Sequence, residues 1–127
     1  MPELPDVENF RRYFARHALH QSIASVHVND RRSLRGSPQG LARAVKHHSF
    51  TRTRRHGKHL LVPLDRGVGW LAMHFGMTGY LVYFDEDDDR PKFDRVQFDF
   101  TNGHRLAYVD ARLGELSKSE DLARYVL

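Results

Sequence analysis

Residues 93–110 read FDRVQFDFTNGHRLAYVD, and this stretch decides the fold class. From Phe93 to Phe100 apolar and polar residues alternate, the period of a strand with one face in a core. Asn102-Gly103 follows, a dipeptide that favours the tight turn of an antiparallel hairpin. The run HRLAYVD then returns as a second strand. A chain that commits to a hairpin here builds an antiparallel sheet.

Working outward, the same grammar repeats. SFTRTRR, KHLLVPL, VGWLAMHF and TGYLVYF are short β-rich runs. They are punctuated by Asp65-Arg66-Gly67, by Gly76 to Gly79 and by the acidic stretch DEDDDRPK, residues 85–92, expected as an exposed hairpin tip. SIASVHVND alternates as a half-buried strand. Several short strands at this spacing imply an antiparallel sandwich or barrel. Two segments have a helical period instead. Leu4 to about Leu19 places Leu4, Val7, Phe10, Phe14 and Ala18 on one face, with Pro5 in the first turn. SPQGLARAVKH has Ser37 as N-cap and Pro38 just inside. The final SEDLARYVL reads as a short helix. The expected fold is therefore mainly β with flanking helices, an antiparallel β-sandwich with an N-terminal helix.

The 127 residues fit one domain with a core of its own and include no cysteine, which excludes disulfides and cysteine-based zinc sites within them. No apolar run reaches the length of a membrane span or signal-peptide core, so the expected setting is cytoplasmic, without a membrane partner. The formal net charge is +4. Its distribution is uneven: Arg31 to Val62 holds nine Lys or Arg and no acid. Setting aside the acidic loop leaves 18 bases against 11 acids, a net of +7. Such a body suits a polyanion, nucleic acid above all, and equally a solvated basic face.

Candidate chemistry sits in three places. The chain begins MPELPDVENF. Removal of Met1 exposes Pro2 as a secondary amine, and a chain-terminal amine titrates at about pH 7.7–8.0 in model peptides, so far more of it is neutral at pH 7 than of a lysine. It is either a nucleophile for a carbon such as C1′ of a sugar, with Glu3 moving protons, or a chain end before a helix with acids at its positive pole. RRHGKHLL sets Lys58 between a glycine and a strand, as a phosphate contact or an ordinary basic strand start. HFGMTG, residues 74–79, has two glycines for a tight turn, His74 as a donor and Met77 as a wedge into a base stack or a core residue. The histidines have no metal-ligand spacing.

Taken in order, MPELPDVE, RRHGKHLL, HFGMTG and TNGHRLAYVDARLG closely resemble the N-terminal domain of the formamidopyrimidine-DNA glycosylase and endonuclease VIII family of base-excision repair enzymes. The resemblance spans nearly the whole chain. It implies one catalytic domain over residues 1–127, a glycosylase with AP-lyase activity on oxidised or ring-opened purines in damaged double-stranded DNA. Pro2 would form a Schiff base at C1′, followed by β,δ-elimination. Glu3 matches the catalytic acid/base, Lys58 and His74 match phosphate contacts, and Met77 matches the residue that fills the gap of a flipped base. Arg112 matches the arginine facing the orphaned base, and Arg54 and Arg55 add basic contacts.

Three departures follow. The family continues into a helix–two-turn–helix module and usually a zinc finger, which these residues do not include. No cofactor is therefore expected in this chain, and a separately encoded C-terminal half is a candidate partner. The family's Asp-Pro-Arg-Arg-Phe-Gly is here Asp-Ala-Arg-Leu-Gly, residues 110–114, with Leu113 a smaller substitute for the phenylalanine. Asp6 replaces a glutamate. The alternative to the enzyme is a catalytically weak or inactive truncated DNA-binding module.

Overall fold

The computed structural model describes residues 4–75, 78–111 and 123–126. Its described elements are α1 (Leu4–His17), β1 (Ile23–Val28), β2 (Leu34–Arg35), α2 (Pro38–Val45), β3 (Arg54–His56), β4 (His59–Pro63), β5 (Trp70–His74), β6 (Tyr80–Phe84), β7 (Asp94–Phe100), β8 (Arg105–Val109) and β9 (Ala123–Val126). They form a four-stranded sheet, β1-β7-β8-β6, and a five-stranded sheet, β2-β9-β5-β4-β3. Every strand pair is antiparallel except β2 with β9. None of the described helices is long and apolar enough to cross a membrane.

Alternation puts the core between the sheets. Val96, Phe98 and Phe100 of β7 and Leu106 and Tyr108 of β8 face Leu60 and Val62 of β4 and Leu71 and Met73 of β5 in one buried cluster. Aromatic edges knit the layers, with Phe50 against Phe98 at 5.4 Å and Phe75 against Tyr108 at 5.8 Å. Each such ring withdrawn from water contributes about 1.5–3 kcal/mol. The β7–β8 hairpin closes as its sequence implies. Phe100 N donates to His104 O (2.9 Å), Gly103 N to Phe100 O (3.1 Å) and His104 N to Asn102 Oδ1 (3.0 Å).

The helices close the open flanks. In α1 the three- and four-residue spacing buries Val7 and Phe14 completely, and Ala18 just beyond it. Phe10 lies 4.3 Å from Phe75 and Phe14 5.1 Å from Phe50. Near its C-terminal end, the Tyr13 hydroxyl accepts a bond from Tyr83 N (2.7 Å) and His17 stacks on the Tyr83 ring. In α2, Ser37 Oγ accepts from Gly40 N at 2.8 Å, and Leu41 and Val45 face inward.

Two expectations change. The final segment contains strand where a helix was expected: Ala123–Val126 pairs with β5, Trp70 opposite Val126, and with β2. A nine-residue segment is marginal for helix nucleation, whereas Tyr125 and Val126 suit a strand between two open edges. Residues 119–122 lie outside the described residues. The acidic stretch is not a hairpin tip. β8 inserts between β6 and β7, which run parallel, so residues 85–92 form an exposed connection that returns along β8 from its Arg105 end to its Val109 end, with a 3₁₀ turn at Asp87–Asp89. Strand alternation tells which side chains face inward and not which strand comes next, so this swap had no local signal.

Candidate nucleic-acid interface

One end of the sandwich gathers the segments that carry unusual chemistry. β3 turns into β4 at Gly57-Lys58, and His59 at the start of β4 pairs with His74 at the end of β5. The chain then crosses to the other sheet by the turn leading to Tyr80, which pairs with Val109 at the end of β8. β7 also begins here, with Asp94 opposite Val109. The direction of α1 matters too. Its C-terminal half packs on Tyr83, away from this end, so its N-terminal half runs past Phe75 toward it.

The β3–β4 turn has two central residues. Gly57 has φ +60° and Lys58 does not take a positive φ, the pattern of a type II′ turn, which a glycine at the first position makes accessible. Arg54, Arg55, His56 and Lys58 are all exposed. Alternation separates them: Arg54 and His56 share the outer face with Leu61 and His59, whereas Arg55 lies on the helix side. There Glu8 binds Arg11 (2.6 Å) and Arg12 (3.1 Å) and lies 3.7 Å from Arg55 Nε, while Arg11 also donates to Thr53 Oγ1 (3.1 Å). The Arg11 hydrogen bond, with that of Arg12, holds the Glu8 carboxyl down at about 2. Arg55 is thereby partly neutralised. Arg54 and Lys58 have no carboxylate partner among the described residues, so their charge faces solvent.

The turn after β5 is built from both sheets. Phe75 is fully buried and accepts a bond from Gly79 N (2.8 Å). A Cβ on Gly79 would sit 2.2 Å from Phe75 O, so only glycine allows the approach. Thr78 Oγ1 donates to Oδ1 of Asp110 at 2.5 Å. Asp110 is fully buried at the end of β8, where its backbone carbonyl accepts from Arg95 Nε (2.8 Å). The turn and the strand that leads to residues 111–114 are thus fastened together.

The sequence-derived candidates divide as follows. Lys58, Arg54 and Arg55 lie on the exposed basic hairpin. His74 is at the same end, yet buried, its ring 5.0 Å from that of half-buried His59 on the same sheet face. Pro2, Glu3, Met77, Arg112 and Leu113 lie outside the described residues. α1 opens at Leu4, two residues after Pro2, and the described chain brackets Met77 between Phe75 and Thr78. Residues that the sequence reading passed over are His59, the Thr78–Asp110 pair and the Glu8 brace. A polar residue at the margin of an apolar run was the available signal for Thr78 and Asp110. Among the described residues no group of three His, Asp or Glu side chains is placed to hold a metal ion.

Comparison with known proteins adds independent findings. The family model for the formamidopyrimidine-DNA glycosylase N-terminal domain matches residues 1–116. Formamidopyrimidine-DNA glycosylase of Teredinibacter turnerae is 33% identical over 129 aligned positions, covering 100% of this chain and 47% of the relative. That of a Nocardioides species is 40% identical, over 94% of this chain and 42% of the relative. The crystal structure of Lactococcus lactis Fpg in complex with DNA containing an abasic site superimposes with a TM-score of 0.80 at 26% identity, covering 88% of this chain and 41% of that one. The chain spans less than half the length of these relatives.

Proposed function

The chain belongs to the formamidopyrimidine-DNA glycosylase N-terminal domain family, and we propose that it is the catalytic domain of a base-excision DNA glycosylase with AP-lyase activity. One observation carries this reading. The basic hairpin with Lys58, the turn flanking Met77, the strand leading to Arg112 and the end of α1 that follows Pro2 all converge on one end of the sandwich.

The proposed chemistry starts with removal of Met1. While Met1 is attached, the Pro2 nitrogen is a tertiary amide and has no usable lone pair. Freed, its amine attacks C1′ of a damaged purine nucleotide, the C1′–N bond breaks, and the base leaves with a proton. The C1′–O4′ bond of the resulting aminal then opens, O4′ taking up a proton, and leaves an iminium ion, from which β- and δ-elimination cut the sugar-phosphate backbone. Glu3, adjacent to the nucleophile, carries protons in these steps. Lys58 binds the phosphate beside the lesion, with Arg54 and Arg55 adding positive charge around it. Burial leaves His74 only an edge for a phosphate, so half-buried His59 beside it is the more accessible imidazole. Met77 enters the gap left by the flipped nucleotide, Arg112 faces the orphaned base, and Leu113 packs against the neighbouring stack.

The test is borohydride trapping on a duplex with an abasic site. A covalent adduct should form, and it should be lost in Pro2→Gly and in protein that retains Met1. No adduct at low salt and high protein concentration would refute the enzyme and leave a DNA-binding module.

A further inference from the structure

Phe93 is in the wrong place for an ordinary phenylalanine. It is 52% exposed, and its backbone has φ +60°. Exposed aromatics are unfavourable in water, and a bulky residue in the left-handed region is a true outlier, where glycine or asparagine would sit without strain. Two penalties coincide at one side chain.

The structure braces that strained residue. Asp110 N donates to Phe93 O at 3.2 Å. The Arg95 guanidinium lies 5.4 Å from the Phe93 ring centroid, and its Nε donates to Asp110 O. Asp30 holds Arg95 from the other side at 3.6 Å. Asp110 in turn holds Thr78, so Phe93 is fastened both to the turn flanking Met77 and to the strand that leads to Arg112 and Leu113. Tyr80, the other exposed large apolar side chain among the described residues, lies at the same end, opposite Val109. Lys92 is exposed beside Phe93, and the carboxylate of Asp94 on its other side is engaged by Arg90 at 2.8 Å.

We propose that Phe93 is a base-stacking wedge, an aromatic face that packs against a DNA base next to the flipped-out nucleotide. The proposal rests on the DNA-glycosylase reading above. A rigid ring held out at the DNA-facing end by Arg95 and Asp110 offers stacking surface at little entropic cost, and exposed Lys92 beside it attracts the backbone that presents the base.

The test uses the whole chain and a duplex carrying a tetrahydrofuran abasic site, with the intact duplex as reference. Phe93→Gly and Phe93→Asn both suit a left-handed backbone, so the fold is retained, as thermal melting will verify. Loss of stacking should weaken binding to the abasic duplex about tenfold, leave the intact duplex nearly unaffected and keep the salt dependence unchanged. Lys58→Ala is the control for the DNA reading, because it should weaken binding to both duplexes and flatten the salt dependence. If Lys58→Ala behaves so and both Phe93 variants bind like wild type, the wedge is refuted and the DNA interface stands. If neither substitution changes binding, the DNA reading falls and the wedge with it. If the Phe93 variants change only self-association, the ring belongs to a protein contact and the proposal is wrong.

Discussion

Gly79→Ala tests the turn between the two sheets. Gly79 does not take a positive φ, so alanine meets no backbone penalty there and its effect is purely steric. The new methyl carbon would lie 2.2 Å from Phe75 O and 3.0 Å from Phe75 C and Cα. These are backbone atoms of a buried residue and cannot swing aside. The turn must open, at the cost of the 2.8 Å Gly79 N to Phe75 O bond, worth about 1 kcal/mol. Displacement of packed neighbours adds about 2 kcal/mol. A total near 3 kcal/mol, over a 127-residue chain with an unfolding entropy of about 2.1 cal/mol/K per residue, lowers Tm by about 11 °C. Urea unfolding should show a lower midpoint with an unchanged slope, the mark of a native-state effect. A variant that melts within about 2 °C of wild type would refute the close approach of Phe75 and Gly79.

The basic hairpin and the Glu8 brace give two more outcomes. Lys58→Ala and Arg54→Ala should each lower the slope of log K against log salt for duplex DNA by about 0.9. Arg55→Ala should lower it less, because Glu8 already occupies that guanidinium; equal losses in all three would contradict the pairing. Glu8 is held at about 2 when folded against an ordinary 4.5. Its contribution to stability is thus complete above about pH 4.5 and is lost as pH falls toward 2. Glu8→Gln should melt lower than wild type at pH 6, and the difference should close by pH 2 and shrink in high salt. A gap that stays constant across that range would show that the carboxylate charge is not what binds α1 to β3.

Local patterns made much of this fold legible. The α1 face, the Ser37 cap and the β7–β8 hairpin depend on residues within a few positions of one another, and sequence records such spacing directly. What escaped depends on distant pairing. The insertion of β8 between β6 and β7 and the recruitment of Ala123–Val126 by the open edges of β5 and β2 are settled by hydrogen-bond partners far along the chain. At the candidate site the same division holds. Lys58 and His74 were legible as residue types in short motifs, but the burial of His74, the exposure of Phe93 and the fastening of Thr78 to Asp110 exist only after two sheets meet.

A nucleophile at a chain terminus poses a physical problem, because termini are the least constrained part of most domains and attack on C1′ needs fixed geometry. For the nucleophile proposed at Pro2, the helix that follows supplies an anchored base. Val7 is fully buried, Phe10 rests on Phe75, and Glu8 and Arg11 tie the same turn of helix to Arg55 and Thr53. Phe75 is also the residue whose carbonyl closes the Gly79 turn. The anchor of the helix and the foot of the turn that flanks Met77 are therefore one residue, the first through its ring and the second through its backbone carbonyl. Displacing Phe75 would shift the helix that follows Pro2 together with the segment proposed to fill the gap in the base stack. On this reading Gly79→Ala should lower borohydride trapping beyond what its loss of stability explains at temperatures where the variant is fully folded. Trapping that follows the folded fraction alone would show that the two segments are positioned independently.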